Sequence, residues 1–405
     1  MPTPAAGLEL IAAITTDPQV TLSAVPVRQP PVPLFNASGL ARRLRASPLL
    51  AIGPAAPGPA LRRGALVAVP IGLCLAVELG LNAPTKGAIA TGALLAGFPG
   101  LDAPSRPRAG WQAAAAPFIG LAAVLGILSS QNAVTAVLAM GLLGAAAGYC
   151  FAVSLRLAIF GLSVALSLVI AQGFFLSPSD VGPAMLWVTG GGLLQALWSL
   201  LVWVFADHGA KGQASGWNAA ETRAALASNL TLRSASARHA LRFGAALAAG
   251  VATYRALGLH DHGFWIPLTI LFVMRPERGE TDHRLALRAI GTVIGLVVAT
   301  AIAESIGDYD LVVALVLTVA AAFSFGLLTV QYALFTAAIT TYVVLLTDTL
   351  GEGAFDAAGQ RAVGTAIGIA IAFLAFLIWP NPGEGRGLGK TAKRPTPGPS
   401  EAPAR

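Results

Sequence analysis

Two arginines four residues apart, Arg284 and Arg288, are the residues whose type and spacing point most directly to a chemistry. Positions i and i+4 are neighbours on one face of an α-helix. A guanidinium group pairs with a carboxylate through two parallel hydrogen bonds, so these side chains are predicted to attract and hold an organic anion. The alternative interpretation is that they anchor a membrane helix by extending their charged ends to the lipid headgroups.

The residues around Arg288 predict close helix packing. Gly291 and Gly295 are four apart and give one helix face on which a neighbouring backbone can approach. Thr292 can hydrogen-bond to its own helix or to a neighbour. Upstream, Pro267 lies in a short apolar run, where it is predicted to remove one backbone hydrogen bond and to free a carbonyl group within the membrane.

The pattern Arg-x-x-Gly-Thr-x-x-Gly occurs a second time, at Arg361, Gly364, Thr365 and Gly368. Three predicted spans separate the two copies, so the copies would enter the membrane from opposite faces, as in an inverted repeat. The alternatives are a chance match between segments rich in Gly and Ala, or a different number of spans between the copies. Arg361 stands at the predicted outer end of a helix, against the trend of the other basic residues, which favours a functional or ion-pairing role.

Few other polar side chains lie within apolar runs. Glu78 is a candidate proton carrier, because an intramembrane carboxylate is costly and often functional. The alternative, which we favour from its position in the chain, is an ion pair with Arg255. The remaining candidates either line a polar path or hydrogen-bond neighbouring helices; they are Gln172, Gln195, Gln331, Thr336 and Thr340.

Helices that cross a membrane must position these residues. The chain has 405 residues, of which 55% are hydrophobic and 11% are charged, whereas a soluble domain carries about 25% charged residues. The apolar runs are continuous and do not alternate with period two, which argues against a membrane β-barrel. No basic stripe indicates nucleic acid, and no catalytic or metal-ligand motif is present, so we expect neither an enzyme nor a cofactor or metal.

Hydropathy predicts an all-α polytopic membrane protein with about twelve transmembrane helices. The predicted spans are 64–82, 87–100, 112–129, 132–151, 156–176, 183–206, 242–259, 263–274, 287–306, 310–324, 326–347 and 361–379. Nearly all Lys and Arg residues then fall on one side, which predicts that both termini are cytoplasmic.

The spans form two tandem six-helix repeats in this interpretation. Arg62 and Gly64 before the first span correspond to Arg242 and Gly244 before the seventh; the alternative is chance similarity between two bundles rich in Ala and Gly. The predicted segments are a disordered basic N-terminal segment at 1–60, a first bundle at 61–206, a cytoplasmic linker at 207–241, a second bundle at 242–380 and a disordered basic tail at 381–405.

Residues 263–295 resemble the fusaric acid resistance and aromatic acid exporter family of bacterial inner-membrane proteins. The first half of the chain departs from this pattern and has Pro99, Arg106, Gln112 and Gly120 at the equivalent place. The residues that carry the resemblance are Trp265, Pro267, Leu268, Thr269, Arg275, Pro276, Thr281, Arg284, Arg288, Gly291, Thr292 and Gly295.

The resemblance implies an inner-membrane exporter of small aromatic acids, driven by the proton gradient. It adds Trp265 and Thr269 to the predicted substrate pathway of Arg284, Arg288, Thr292, Gln331 and Arg361. The partners are then the lipid bilayer and a small organic anion, and the sequence leaves open a homo-oligomer or an accessory periplasmic partner. Two other functions remain open: a non-transporting scaffold of an envelope assembly, and a passive anion channel.

Overall fold

The computed structural model describes residues 57–83, 85, 87–174, 177–206, 219–229, 231, 234–259, 263–306, 309–349, 351 and 354–380. Within these ranges all regular secondary structure is helical. The predicted N-terminal segment, apart from its last four residues, and the predicted tail at 381–405 lie outside the described residues.

The described helices fall into two groups of six with one short helix between them. The first group is α1 Pro57–Gly80, α2 Ala88–Gly97, α3 Ser105–Ser130, α4 Ala133–Tyr149, α5 Leu155–Gly173 and α6 Val181–Phe205, with 3₁₀ turns at Cys150–Ala152 and Pro178–Asp180. The short helix is α7 Ala219–Ser228. The second group is α8 Ala235–Ala256, α9 Trp265–Val273, α10 Arg278–Ile306, α11 Asp310–Leu327, α12 Tyr332–Asp348 and α13 Ala354–Ile378.

Eight of these helices are long and apolar enough to cross a membrane: α1, α3, α4, α5, α6, α10, α11 and α13. The prediction of a helical polytopic membrane protein is therefore confirmed. Each of the twelve predicted runs contains one helix, but α2, α8, α9 and α12 do not reach the length or apolarity of the other eight. The nine residues of α9 extend only about 14 Å, roughly half of the hydrocarbon thickness.

Several helices begin before the apolar run that predicted them. Helix α8 starts at Ala235, inside the predicted linker, and the Ser234 hydroxyl accepts a hydrogen bond from the Ala237 amide at 3.0 Å as its N-cap. Helix α10 starts at Arg278 and α13 at Ala354, ahead of the predicted starts at 287 and 361. Hydropathy reports the part of a helix that suits lipid, whereas capping and backbone hydrogen bonds decide where the helix begins.

Helices of each group pack against helices of the other group. Helix α1 of the first group packs against α11 of the second, and α8 of the second packs against α4 of the first. Gly64 and Gly244 lie at these two contacts: a Cβ at Gly64 would overlap the Ala322 carbonyl oxygen, and one at Gly244 would overlap the Gly141 carbonyl oxygen. Within each group the third helix packs against the fifth and sixth, and the second against the sixth.

Candidate functional site

Arg288 lies on α10 in the interior of the second group. Its side chain is fully buried, and none of its three guanidinium nitrogens has a hydrogen-bond partner. The guanidinium carbon lies 5.0 Å from the ring centroid of Phe272. The Tyr332 hydroxyl donates to the Phe272 carbonyl at 3.0 Å, and its oxygen, a neutral acceptor, also stabilises the nearby Arg288 charge. The positive charge of Arg288 is therefore held without an acidic partner.

Glycines bring α10 close to α12 and set the position of Arg288. A Cβ at Gly291 would overlap the Ala333 carbonyl oxygen, and one at Gly295 would lie 2.5 Å from the Ala337 carbonyl oxygen. The Thr341 hydroxyl donates to the Gly295 carbonyl at 3.2 Å across this contact. Because the glycine face is taken up by α12, Arg288 at the preceding turn is enclosed by protein.

The second copy of the pattern has the same arrangement on α13, which packs against α9. A Cβ at Gly364 would lie 2.5 Å from the Trp265 Cβ, and one at Gly368 would lie 2.7 Å from the Thr269 Cβ. The Arg361 guanidinium carbon lies 4.2 Å from the Trp265 ring centroid. Arg361 is 1% exposed, and its Nε and Nη1 atoms have no hydrogen-bond partner.

The two copies meet around the short helix α9, because α10 and α13 also contact each other. The charges of Arg288 and Arg361 are close enough to repel. Several buried donors near them have no hydrogen-bond partner: Trp265 Nε1 and the hydroxyl groups of Thr269, Thr292, Thr336, Thr340 and Thr365. Among the described residues, Glu78 is the single acidic side chain that is buried, and it lies elsewhere, on α1. The region between α9, α10, α12 and α13 is thus rich in donors and lacks acceptors that carry charge.

Residues 244–375 match the family described as fusaric acid resistance protein-like. The resemblance predicted from residues 263–295 is therefore confirmed. The match runs from α8 to α13 and includes both arginines and the whole of α9. The fusaric acid resistance protein-like segment and the donor-rich region thus coincide.

Three relatives match the same fraction of the chain. The Inner membrane protein YccS of Escherichia coli (strain K12) is 41% identical over 158 residues, which are 38% of this chain and 22% of the relative. The Uncharacterized protein ORF2 of Neisseria gonorrhoeae is 30% identical over 158 residues, 39% of this chain and 37% of that protein. The Uncharacterized protein slr1298 of Synechocystis sp. (strain ATCC 27184 / PCC 6803 / Kazusa) is 35% identical over 153 residues, 37% of this chain and 20% of that protein.

This chain spans about a fifth of the length of YccS, and of most of the curated relatives it matches. No solved structure matches it significantly.

Arg284 differs from Arg288 although the two share a helix face. Its Nε lies 3.0 Å from Glu280 Oε1, and its guanidinium carbon lies 4.6 Å from the Tyr332 ring centroid. Arg275 lies 3.8 Å from the same Glu280 oxygen, and burial together with the charge of Arg284 lowers the pKa of Arg275. Arg284 therefore belongs to a cluster near the amino-terminal end of α10, and this cluster has its own acidic partner, Glu280.

Gln331 is the N-cap of α12. Its Oε1 atom accepts a hydrogen bond from the Leu334 amide at 2.8 Å. This contact precedes Tyr332, which lies against both Arg284 and Phe272. Tyr332 and Phe272 are site residues that the sequence analysis missed. For Phe272 the one signal was position, since it lies near the end of the short run at 263–274 and three residues before Arg275, whereas nothing comparable marks Tyr332 in the sequence.

Pro267 was predicted to remove one backbone hydrogen bond and to free a carbonyl group, but its place in α9 involves no such loss. It is the third residue of the helix, and the first backbone bond of the regular i to i−4 type runs from the Leu268 amide to the Phe264 carbonyl at 3.1 Å. The first four amides of a helix have no intrahelical acceptor, so a proline in this turn costs no hydrogen bond. Pro267 therefore suits the start of α9.

Glu78 caps helix α2. Its two carboxylate oxygens accept hydrogen bonds from the Ile89 amide at 3.1 Å and the Ala90 amide at 3.0 Å. Arg255 donates instead to the Ser130 carbonyl at 2.9 Å. The ion pair between Glu78 and Arg255, which we favoured from the sequence, is therefore wrong, because each side chain is directed to a helix end in its own neighbourhood.

Proposed function

We propose that this chain is the transmembrane unit of an inner-membrane transporter that exports small aromatic organic acids, with Arg288 holding the carboxylate group of the substrate. The observation that carries the proposal is the full burial of the Arg288 charge with no buried acidic side chain beside it among the described residues. A buried charge without a partner is strongly unfavourable, and an organic anion would supply both the charge and the acceptors. The name of the YccS relative supports the inner membrane as the location.

The rings beside the arginines support an aromatic substrate. Phe272 lies against Arg288 and Trp265 against Arg361. A carboxylate that draws a guanidinium group toward itself would uncover the ring beneath, and an aromatic ligand can stack on it. Thr269 and Thr292 would supply hydroxyl donors to the same ligand. Arg284, near the amino-terminal end of α10, would raise the local concentration of anions.

The proposal includes a layout of two six-helix repeats that both start and end in the cytoplasm. The reciprocal packing of α1 on α11 and of α8 on α4 supports it, as does the presence of Gly64 and Gly244 at matching contacts. The second helix is short in each group, α2 in the first and α9 in the second. Short helices at matching positions of a repeat often lie at the binding site of a transporter.

We further propose that export is coupled to the proton gradient, with Glu78 as the carrier. Its carboxylate binds the amino end of α2 through two amides, so protonation would weaken the tie between α1 and this short helix. In proteoliposomes, Glu78→Gln is expected to transport at the same rate with and without a pH gradient. A gradient response equal to that of the unmodified protein would exclude Glu78 as the carrier.

The transport proposal is tested with the purified chain in liposomes and 4-hydroxybenzoate as the probe. We expect a flux that a pH gradient accelerates, and a loss of at least about tenfold in Arg288→Gln, as for removal of one charge-assisted contact. The matched control is Arg156→Gln, because Arg156 pairs with Asp102 at 2.9 Å in the first group, away from the site. The absence of any flux would favour a scaffold, and a flux that ignores the gradient would favour a channel.

A further inference from the structure

The arginines of the two motif copies face the same short helix. Arg361 lies over Trp265 at the start of α9, and Arg288 lies over Phe272 near its end. Seven residues are close to two full turns, so Trp265 and Phe272 lie on one face of α9 and about 10 Å apart along its axis. Thr269 lies between them, fully buried and with an unpaired hydroxyl group.

Each motif copy also packs on a partner helix. The copy on α13 packs on α9, which comes earlier in the chain, and the copy on α10 packs on α12, which comes later. Arg361, with Gly364 and Gly368, packs α13 on a helix that begins with an aromatic residue and has threonine four positions later, as Trp265 and Thr269 do on α9. Helix α12 places Thr336 against Gly291 and Thr340 against Gly295 in the same way, so a threonine meets the second glycine in both copies. One region is therefore built from two similar halves, each with one arginine.

Each half carries one uncompensated positive charge. The contact of each guanidinium group with an aromatic ring is attractive, but it is much weaker than pairing with a carboxylate in a site from which water is excluded. No acidic side chain among the described residues of α9, α10, α12 or α13 is buried. A ligand with one negative charge would neutralise one arginine and leave the other buried and unpaired.

We propose that the site takes an anion with two carboxylate groups on one rigid aromatic frame, one carboxylate for Arg288 and one for Arg361. This inference rests on the proposed function, since it concerns the same site, and it narrows the substrate class from aromatic acids to aromatic dicarboxylates. The spacing along α9 separates the two cations, so a frame that holds its carboxylates apart suits them better than a single small anion. Thr269 faces the middle of such a ligand.

The test compares terephthalate with its monomethyl ester, which has nearly the same shape but one charge. Binding to the full purified chain is measured by calorimetry. Terephthalate is expected to bind at least about tenfold more tightly than the ester, since it gains one further charge-assisted contact. In Arg361→Gln the two ligands are expected to bind alike, with the affinity for the ester little changed, whereas Arg156→Gln should keep the preference.

The outcomes separate this inference from the proposed function. Equal binding of the two ligands by the unmodified protein, a preference that survives in Arg361→Gln, or two ester molecules bound per chain would each overturn the dicarboxylate site, while flux of 4-hydroxybenzoate would leave the transporter intact. If the unmodified protein binds neither ligand and transports no 4-hydroxybenzoate, both proposals fail. Arg361→Lys restores the charge without the planar fork and should recover part of the preference, which guards against a variant that merely misfolds.

Discussion

Helices α3 and α10 each pack against the fifth and sixth helices of their own group, yet their surroundings satisfy buried polar side chains very differently. In the first group the Ser167 hydroxyl donates to the Ile119 carbonyl at 2.7 Å, and Gln172 Nε2 donates to Ser129 Oγ at 2.9 Å and to the Ala136 carbonyl at 3.0 Å. Gln195 Nε2 donates to the Val67 carbonyl at 3.1 Å. Buried polar residues here connect helices.

In the second group most of the corresponding side chains connect nothing. The hydroxyl groups of Thr269, Thr292 and Thr336 are buried without hydrogen-bond partners, and the Arg288 guanidinium group is buried without an acidic partner. A membrane bundle gains stability from hydrogen bonds between helices, so a group of helices that leaves its donors unpaired is giving up stability. Under the proposed function, the first group serves as a support and the second keeps donors available for a ligand.

Gln112 sharpens the contrast because it is an exception within the first group, where the Gln195 Oε1 atom also has no hydrogen-bond partner. It is fully buried on α3, and neither its Nε2 nor its Oε1 atom has a hydrogen-bond partner. The sequence placed Gln112 in the segment that corresponds to the arginine motif. A neutral amide costs far less to bury than a guanidinium group, so the first group retains a polar position without the charge that would recruit an anion.

Moving the charge between the groups is expected to give the largest effect. Gln112→Arg should lower the free energy of unfolding by about 3–5 kcal/mol, because it buries a charge without a partner. Arg288→Gln should raise the stability of the ligand-free protein for the same reason. Thermal unfolding in detergent without ligand measures both, with Gln112→Met as the control for side-chain shape, expected within about 1.5 kcal/mol.

If Gln112→Arg proved as stable as the unmodified protein, the contrast would not be electrostatic. The first group would then admit enough water or lipid headgroup to solvate a charge, and the unpaired state of Arg288 would no longer indicate a ligand.

Close helix packing should give the next largest effect. Gly291→Ala places a Cβ on the Ala333 carbonyl oxygen, and overpacking of this kind costs about 1–3 kcal/mol. Gly190 is the matched control on α6, since a Cβ there has no neighbour within 4 Å; Gly190→Ala should change stability by less than about 1 kcal/mol. Equal loss of stability in both variants would show that helix flexibility, and not the contact with α12, explains the glycine.

The sequence predicts the positions of the helices better than it predicts which helices pack against each other. Each predicted apolar run holds a helix, because continuous apolar residues in lipid must satisfy their own backbone. The spacing of Gly291 and Gly295 defines a face but cannot say that α12 covers it, and nothing in residues 263–295 indicates that Arg361 from the last helix lies over Trp265. Such contacts depend on which helices become neighbours in the folded bundle, and the spacing of residues within one segment does not specify this.

The errors in the sequence analysis come from the same source. Glu78 and Arg255 were paired because they occupy matching places in the two predicted groups, but matching places in the sequence do not require contact in space. Pro267 was expected to remove a backbone hydrogen bond from a short span, whereas α9 starts at Trp265 and places the proline in the first turn. The first error came from not knowing the distance between Glu78 and Arg255, and the second from not knowing where α9 begins.

The smallest expected effect separates a connecting side chain from an available one. Gln172→Leu removes two hydrogen bonds between helices and should lower the free energy of unfolding by about 1 kcal/mol, at roughly 0.6 kcal/mol for each bond. Thr336→Val removes a hydroxyl group that has no partner and nearly preserves shape, so stability should change by less than about 0.5 kcal/mol. Calorimetry should show the opposite order for terephthalate, with weaker binding in Thr336→Val and unchanged binding in Gln172→Leu. Since each variant is the other's control, a loss of both properties in either one would mean that support and site are not divided between the two groups.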